Sequence, residues 1–493
     1  MKNERGVPTI FELSQPGRIG PRPPPPEDDL PSFEECVPKA LRRGQPVELP
    51  EVSELDAVRH YTRLSTRNFA IDNAFYPLGS CTMKYNPRLN EVAASQRGFA
   101  DAHPLAKPDE VQGWLEVFFQ LEEFLREVSG LPHVSLQPAA GAHGELTALM
   151  LLKAYFTDRD EKSRQVVLVP DSAHGTNPSS CTLAGFKTRE IKSAADGTVS
   201  MDDFDSKLGP EVAGMMITNP NTLGIFEHNI EAISNRLHEN GSFLYMDGAN
   251  MNAILGVTRP GDFGVDVMHF NVHKTFSTPH GGGGPGAGPI AVTDALEPYL
   301  PVPRVIQTEA GRYSLKSDYP KSVGKVRSFF GNSGILLRAL AYAMAHGPDE
   351  LRGVSEYAVL NANYIRQALV GDYHLPYDSP SMHEVVFTAK RQKRDGIRAI
   401  DIAKRLIDLG IHPPTIYFPL VVAEALMIEP TETESKATLD EMIEAMRSIA
   451  REAEQTPERL HEAPTTQPVQ RLDEVNAVKH PILVCPCETP SGG

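Results

Sequence analysis

Between about residues 134 and 293, short apolar runs alternate with helix-length stretches, and this alternation constrains the fold more than any other feature of the chain. The runs cover 134–137, 166–169, 212–218, 243–246 and 267–272. Each is too short for a helix and too continuously apolar for a strand with one wet face. Buried strands joined by helical crossovers fit this pattern, so an α/β fold around a mainly parallel sheet is predicted. Near residue 330 the pattern turns helical through Leu336, Leu337, Leu340 and Tyr342. Residues 382–428 then mix short strands with helices, and 435–454 read as a last amphipathic helix. A chain of 493 residues is too long for one ordinary domain. The expected division is an extended arm and first helix over 1–60, a large α/β domain over 61–345, a smaller α/β domain over 346–455, and a polar tail over 456–493.

The arm is proline-rich, with Pro23 to Pro26 followed by Glu27, Asp28 and Asp29, so it reads as extended chain lying over a neighbour. Residues 51–67 have helical spacing at Val58, Tyr61 and Leu64. A second helix is predicted over 111–128, with Trp114, Val117, Phe118, Leu121 and Leu125 on one face. Between them, Phe75-Tyr-Pro-Leu-Gly-Ser-Cys-Thr-Met-Lys-Tyr-Asn-Pro87 is a loop, and an apolar, aromatic loop of that length is expected to cover something. The net charge of −16 argues against general nucleic-acid binding, which depends on basic patches. The N-terminus lacks the apolar core of a signal peptide, and no run is long enough to span a membrane, so the chain reads as cytoplasmic. Five sparse cysteines, two of them in the tail at Cys485 and Cys487, do not form a disulfide framework, and no pair has zinc-finger spacing.

In an open parallel sheet, ligands bind beyond the carboxyl ends of the strands. After the first run comes Pro138-Ala-Ala-Gly-Ala-His-Gly144, whose small residues let backbone amides approach an anion at a helix start; a plain tight turn fits equally. The second run ends near His174, which could face a ligand or be a structural histidine. The third ends in Asn219-Pro-Asn-Thr222, a crevice wall or a turn. The fourth ends in Asp247-Gly-Ala-Asn250, and a carboxylate there needs a partner or a cap. The fifth ends in His273-Lys274-Thr-Phe276, followed by four glycines at 281–284. A lysine behind a buried strand is a candidate for imine chemistry. Together these place an amide nest, a histidine, a carboxylate and a lysine at neighbouring strand ends. That set suits pyridoxal phosphate, which needs an imine-forming lysine, an acid for its ring nitrogen and a phosphate cradle.

The motifs then identify a family. Asp247-Gly-Ala-Asn-Met-Asn252, Arg259-Pro-Gly-Asp-Phe-Gly264, His273-Lys-Thr-Phe276, Pro279-His-Gly-Gly-Gly-Gly-Pro-Gly286, Ser172-Ala-His-Gly-Thr-Asn-Pro178 and the 75–87 loop resemble the P-protein of the glycine cleavage system over roughly residues 50–475. P-proteins occur as one chain or split in two, and this chain resembles the cofactor-bearing half. The resemblance implies fold type I of the pyridoxal-phosphate enzymes, with Lys274 carrying the cofactor, Asp247 on the pyridine nitrogen and His174 stacked on the ring. It makes Ala140, Gly141, Ala142 and His273 phosphate-side candidates, puts Ala249 among the cofactor-binding residues, and leaves His143 between ring and substrate. The ligand for the glycine carboxylate is not implied; Arg327 in Lys325-Val-Arg-Ser-Phe-Phe330 is one candidate, with a surface ion pair as its other reading. The implied reaction is glycine decarboxylation, with the aminomethyl group passed to the lipoyl arm of the H-protein. The implied partners are that H-protein and the other P-protein subunit, glycine dehydrogenase subunit 1, with two copies of each P-protein subunit. A different fold type I enzyme, such as an aminotransferase, would share the lysine, aspartate and histidine but not the 75–87 loop.

Overall fold

In the computed structural model, described for residues 7–22, 24, 30–45, 47–281 and 286–483, the chain divides into two compact units. One comprises residues 71–461 and the other combines 1–70 with 462–493. The glycines at 282–284 and the tail cysteines Cys485 and Cys487 lie outside the described residues.

The larger unit is built on seven strands: β1 (His133–Ser135), β2 (Val166–Pro170), β3 (Lys187–Ile191), β4 (Val212–Thr218), β5 (Phe243–Gly248), β6 (Val267–Phe270) and β7 (Ile290–Val292). Their order across the sheet is β1-β7-β6-β5-β4-β2-β3. Strands β3, β2, β4, β5 and β6 run parallel, and β7 alone is reversed, pairing antiparallel with both β1 and β6. Side chains alternate between the two faces, as the pleat requires. Leu168, Met215, Ile217, Leu244, Met246 and Met268 share a core with the helix Gln112–Ser129. Val167, Met216, Tyr245, Val267 and Ile290 share the other with the helix Gly141–Asp158. Burial on both faces explains why these strands read as unbroken apolar runs.

A hairpin, β8 (Arg304–Gln307) with β9 (Tyr313–Lys316), precedes the long helix Ser333–Leu369. That helix breaks at Gly347, whose φ of 63° is left-handed, with Pro348 next to it. Beyond it lies a small antiparallel sheet in the order β10 (Val385–Thr388), β12 (Ala425–Ile428), β11 (Thr415–Ile416), packed against the helices Ala399–Asp408 and Lys436–Gln455. The strand and helix pattern read for 382–454 is therefore present.

In the smaller unit two helices are opened by a capping box, Ser32 with Glu35 ahead of Phe33–Cys36 and Ser53 with Asp56 ahead of Glu54–Ser65, and a third, Glu474–Lys479, is capped by Asp473. The helix expected over 51–67 is thus found, but its apolar stripe is not in a core. Leu55, Val58 and Tyr61 remain 54%, 57% and 59% exposed. Among the described residues, no helix is long and apolar enough to cross a membrane.

Candidate active site

The sheet register builds the centre of the site. Thr218 at the end of β4 pairs with Asp247 of β5, and Asp247 pairs with His269 of β6. Three polar residues therefore stand in one row at the carboxyl ends of adjacent parallel strands, where an α/β sheet opens its crevice. Gly248 makes the close approach possible, because a Cβ there would lie 1.9 Å from the His269 carbonyl oxygen. A cleft with about 480 Å³ of empty space lies over the row, lined in part by Ser80, Ala142, His174, Asp247, Ala249 and Lys274.

Asp247 is 3% exposed and closely held. Its Oδ1 accepts the Ala249 amide at 2.9 Å and lies 3.4 Å from His269 Nε2, while Oδ2 accepts Asn177 Nδ2 at 3.1 Å. Burial pushes its pKa up, but His269, the Ala249 amide, Asn177 and Lys274 outweigh burial, and the carboxyl sits below its ordinary range. It is a carboxylate, available to a protonated ring nitrogen. His269 is in turn fixed by Tyr245 Oη at 2.5 Å on Nδ1 and by Asn271 Oδ1 at 2.6 Å on Nε2. Glu145, also buried, accepts hydrogen bonds from Thr176 Oγ1 at 2.9 Å and Ser180 Oγ at 3.0 Å. Asn177, His269, Asn271 and Glu145 are functional neighbours that the sequence reading did not single out.

Lys274 sits in a one-turn helix, Val272–Thr275, after β6, so the run expected to continue as a strand to 272 ends at Phe270. The chain turns there because Asn271 Oδ1 is held by His269 and Lys274 N bonds back to Asn271 O at 2.9 Å. Lys274 Nζ donates to the Ser80 carbonyl at 2.7 Å, which brings the 75–87 loop directly over the lysine. The covering role expected of that loop is what the structure displays.

The helix Gly141–Asp158 points its start at the site. It has no side-chain cap, and its first internal bond runs from Gly144 N to Ala140 O at 2.9 Å, so the amides of residues 141–143 carry no bond within the helix. Such an end attracts anions. Gly141 lets Asn271 close in, since a Cβ there would lie 2.5 Å from Asn271 Nδ2. Ala140 and Ala142 sit at this helix start, Ala142 exposed to the cleft. His143 is folded back: its Nδ1 accepts the Ala139 amide at 3.1 Å, and burial and then Arg327 lower its pKa. Arg327 donates to Asn332 Oδ1 at 3.1 Å, and Asn332 Nδ2 donates to the Ala139 carbonyl at 3.0 Å, so Arg327 stands on the helix-start side.

His273 lies under the same region. Its ring packs against Gly286, where a Cβ would be 2.3 Å from Nδ1, and Nδ1 is buried with no hydrogen-bond partner. Burial first, then His280 and Lys274, push its pKa down to about 3, so it is a neutral imidazole. His174 is exposed at the other wall, with Nδ1 2.9 Å from Thr176 Oγ1 and its ring edge-on to Phe418 at 5.5 Å. These features suit the cofactor expected from the sequence. An uncapped helix start, a buried carboxylate and a lysine amine all meet one cleft, and the unpartnered imidazole nitrogen of His273 lies one residue before that lysine.

Similarity to known proteins agrees. Residues 27–311, more than half of the chain, match the family described as glycine cleavage system P-protein, and residues 354–470 match glycine dehydrogenase, C-terminal domain. A relative from Caldanaerobacter subterraneus, "Probable glycine dehydrogenase (decarboxylating) subunit 2", is 53% identical over 96% of this chain and 98% of its own. One of the same description from Pyrococcus abyssi is 53% identical over 97% and 95%. A crystal structure of glycine decarboxylase (P-protein) in inhibitor-bound form superposes with a TM-score of 0.72 at 21% identity, covering 85% of this chain and 95% of that one. The Escherichia coli cysteine desulfurase CsdA superposes at 0.59 with 15% identity, covering 79% and 98%. Those two likenesses establish the shared fold, fold type I. By motif, by identity along nearly its whole length and by fold, the chain belongs to the glycine cleavage system P-protein family.

Proposed function

We infer that this chain is the cofactor-bearing subunit of a pyridoxal-phosphate-dependent glycine decarboxylase. The observation that carries the reading is the placing of the Asp247 carboxylate and the Lys274 amine on one cleft, beside an uncapped helix start. When bound, pyridoxal phosphate supplies an electron sink for the pair left behind as carbon dioxide departs. In this reading Lys274 links to the cofactor, Asp247 keeps the ring nitrogen protonated, and His174 covers one ring face. Ala140, Gly141, Ala142 and His273 face the phosphate, and Ala249 contributes its amide through Asp247. His269 and Asn177 orient Asp247, and Tyr245 orients His269. The 75–87 loop shields the Lys274 amine from water and forms one wall of the approach for a lipoyl arm. Borohydride reduction followed by peptide mapping tests the assignment: a pyridoxyl group on Lys274 supports it, and a label on Lys84 or elsewhere removes it.

The finer assembly belongs to the same proposal. The partners are glycine dehydrogenase subunit 1, two copies of each P-protein subunit, and a lipoylated H-protein. The relatives' description as subunit 2 supports this, as does the apolar stripe Leu55, Val58 and Tyr61, which a single chain leaves in water. The division into a large domain over 61–345 and a small one over 346–455 is part of the same reading, and the helix break at Gly347, beside that boundary, supports it. Glycine–bicarbonate exchange should be poor for the chain alone and rise when the partner subunit and H-protein are added; full exchange with H-protein alone rejects the split assembly.

A further inference from the structure

The 75–87 loop is held by two glutamates that the reaction chemistry has not used. Val385 of β10 pairs with Ile428 of β12, and one step beyond that pair stand Glu384 and Glu429, neither exposed at all. Glu384 Oε2 accepts the Ser80 amide at 2.9 Å. Glu429 Oε2 accepts the Thr82 amide at 3.0 Å, and its Oε1 accepts Thr82 Oγ1 in a very short bond. Ser80 and Thr82 both have positive φ, 65° and 45°, which non-glycine residues adopt at a cost. The loop is also tied by a bridge from Leu78 to Ile428, by Thr415 Oγ1 donating to the Gly79 carbonyl at 2.8 Å, and by Gly79 itself, where a Cβ would lie 2.2 Å from Met427 Cγ. The product of this arrangement is the orientation of one atom: the Ser80 carbonyl oxygen, which receives Lys274 Nζ.

Two carboxyl groups with His383, all fully buried and with ligating atoms within 4.8 Å of one another, are expensive to bury without a compensating charge. Both His383 nitrogens and Glu384 Oε1 lack hydrogen-bond partners. Burial raises the pKa of each carboxyl, Glu429 adds to this at Glu384 and Glu432 at Glu429, and Lys274 acts in the opposite direction on both. Glu429 accepts two donors and Glu384 one, so of the two Glu429 is the better held as an anion.

We propose that Glu384 and Glu429 are positioning residues for the reaction, fixing the Ser80 carbonyl as the resting place of the Lys274 amine and setting the negative charge behind it. The inference rests on the reading of Lys274 as the cofactor's lysine. Asp247, Cys81, His273, His280 and His383 also feel the Lys274 charge, and with Glu432, which acts on Glu429, they form the rest of the charge environment. Cys81 lies between the two anchored residues, and its thiol is only partly exposed, which makes it a reporter of the loop.

The test uses the cofactor-loaded protein and the variants Glu429→Gln, Glu429→Asp, Glu384→Gln and Thr82→Val. The visible band of the bound cofactor is titrated against pH, and alkylation of Cys81 by iodoacetamide is timed. In Glu429→Gln the midpoint of the titration should fall by about one pH unit, with partial recovery in Glu429→Asp. Glu384→Gln keeps an acceptor for Ser80 and should move the midpoint little. Cys81 should react about tenfold faster in Glu429→Gln, and faster than wild type in Thr82→Val, which keeps both carboxyls and is the variant that decides if the glutamine forms do not fold. An unmoved midpoint in folded Glu429→Gln, or an unchanged Cys81 rate in Thr82→Val, overturns the inference. So does a stoichiometric divalent ion whose removal by chelation shifts the wild-type band, since the carboxyls would then be ligands. Borohydride mapping of the wild type separates the two layers: a label away from Lys274 defeats the underlying reading, whereas a label on Lys274 with unresponsive variants defeats only this one.

Discussion

Two lysines meet at the same loop, Lys84 within it and Lys274 beneath it, and their surroundings could hardly differ more. Lys84 is 3% exposed and fully engaged: its Nζ donates to Glu432 at 2.6 Å, to the Thr275 carbonyl at 2.7 Å and to Asn252 Oδ1 at 2.9 Å, with Tyr342 Oη at 3.3 Å. Burial lowers its pKa, yet Glu432 and Tyr342 more than reverse this, and the ammonium is held above its ordinary range. Lys274 has one carbonyl partner and opens on the cleft. Burial alone therefore does not make a lysine reactive; the number of acceptors locking its charge decides. Lys84 clasps the loop to the turn that carries Lys274, while Lys274 is left able to change partners.

The largest expected effect breaks the reactive side. Lys274→Ala should lower glycine–bicarbonate exchange by more than about a thousandfold and abolish borohydride labelling, with a melting temperature close to wild type. Residual labelling elsewhere at wild-type stoichiometry would defeat the distinction. Next comes the locked side. Lys84→Met strands the buried Glu432 carboxylate and should cost about 3–5 kcal/mol of stability in denaturant unfolding, while cofactor linkage persists in whatever fraction folds. A loss below about 1 kcal/mol would show that the clasp contributes little.

Asp247→Asn sharpens the electrostatic half of the comparison. The variant should fold and bind cofactor but lose about a hundredfold or more in exchange rate, because the neutral amide does not hold the ring nitrogen protonated. Asp247 also carries a pH signature. Its folded-state pKa is depressed, so its stabilising contribution is present above the unfolded carboxyl value and disappears as pH falls through the folded one. Asparagine does not titrate, so the stability of Asp247→Asn should fall less steeply than that of wild type as pH drops below about 4, read from urea midpoints.

The smallest effect concerns a buried acid with the opposite shift. Glu122, 5% exposed, has its nearest cation, Arg126, 3.7 Å away, and burial carries its pKa up to about 8. A raised carboxyl works in reverse: its folded form keeps the proton while the unfolded form loses it. Its contribution is complete below about pH 4.5 and is lost as pH rises toward about 8. Glu122→Gln should remove that decline and gain about 1–2 kcal/mol at about pH 8.5, read from urea midpoints at two pH values.

Much of the architecture was legible in the sequence because parallel-sheet physics is local. Strands β2, β4, β5 and β6 are buried on both faces, so their apolar runs announce them, and the residues just after each run are brought by topology to the site; β3, mostly exposed, leaves no such run. Asp247, His174 and Lys274 could be found that way. His269 could not be, because its position inside β6 looks like core until the register sets it against Asp247. Glu384 and Glu429 were equally hidden: each is an ordinary acid beside a short strand, and its meaning comes from Ser80 and Thr82, 304 and 347 residues away. The helix Glu54–Ser65 teaches the reverse. Its periodicity was plain, but periodicity says which face is apolar and not what covers it. Among the described cysteines, Cys36, Cys81 and Cys181 are free thiols, in keeping with their sparse spacing.

The separation of those anchors has a consequence for the order of events during synthesis. The loop over Lys274 is tied down by residues near the end of the small sheet, so a growing chain that has already completed all seven strands of the large sheet still lacks the groups that close its catalytic crevice. Long-range contacts of this kind form late and slowly. Closure of the loop over Lys274 is therefore a clock: it cannot precede the emergence of Glu429 from the ribosome, and the protection of Cys81 from alkylation during translation would time the closing of the fold.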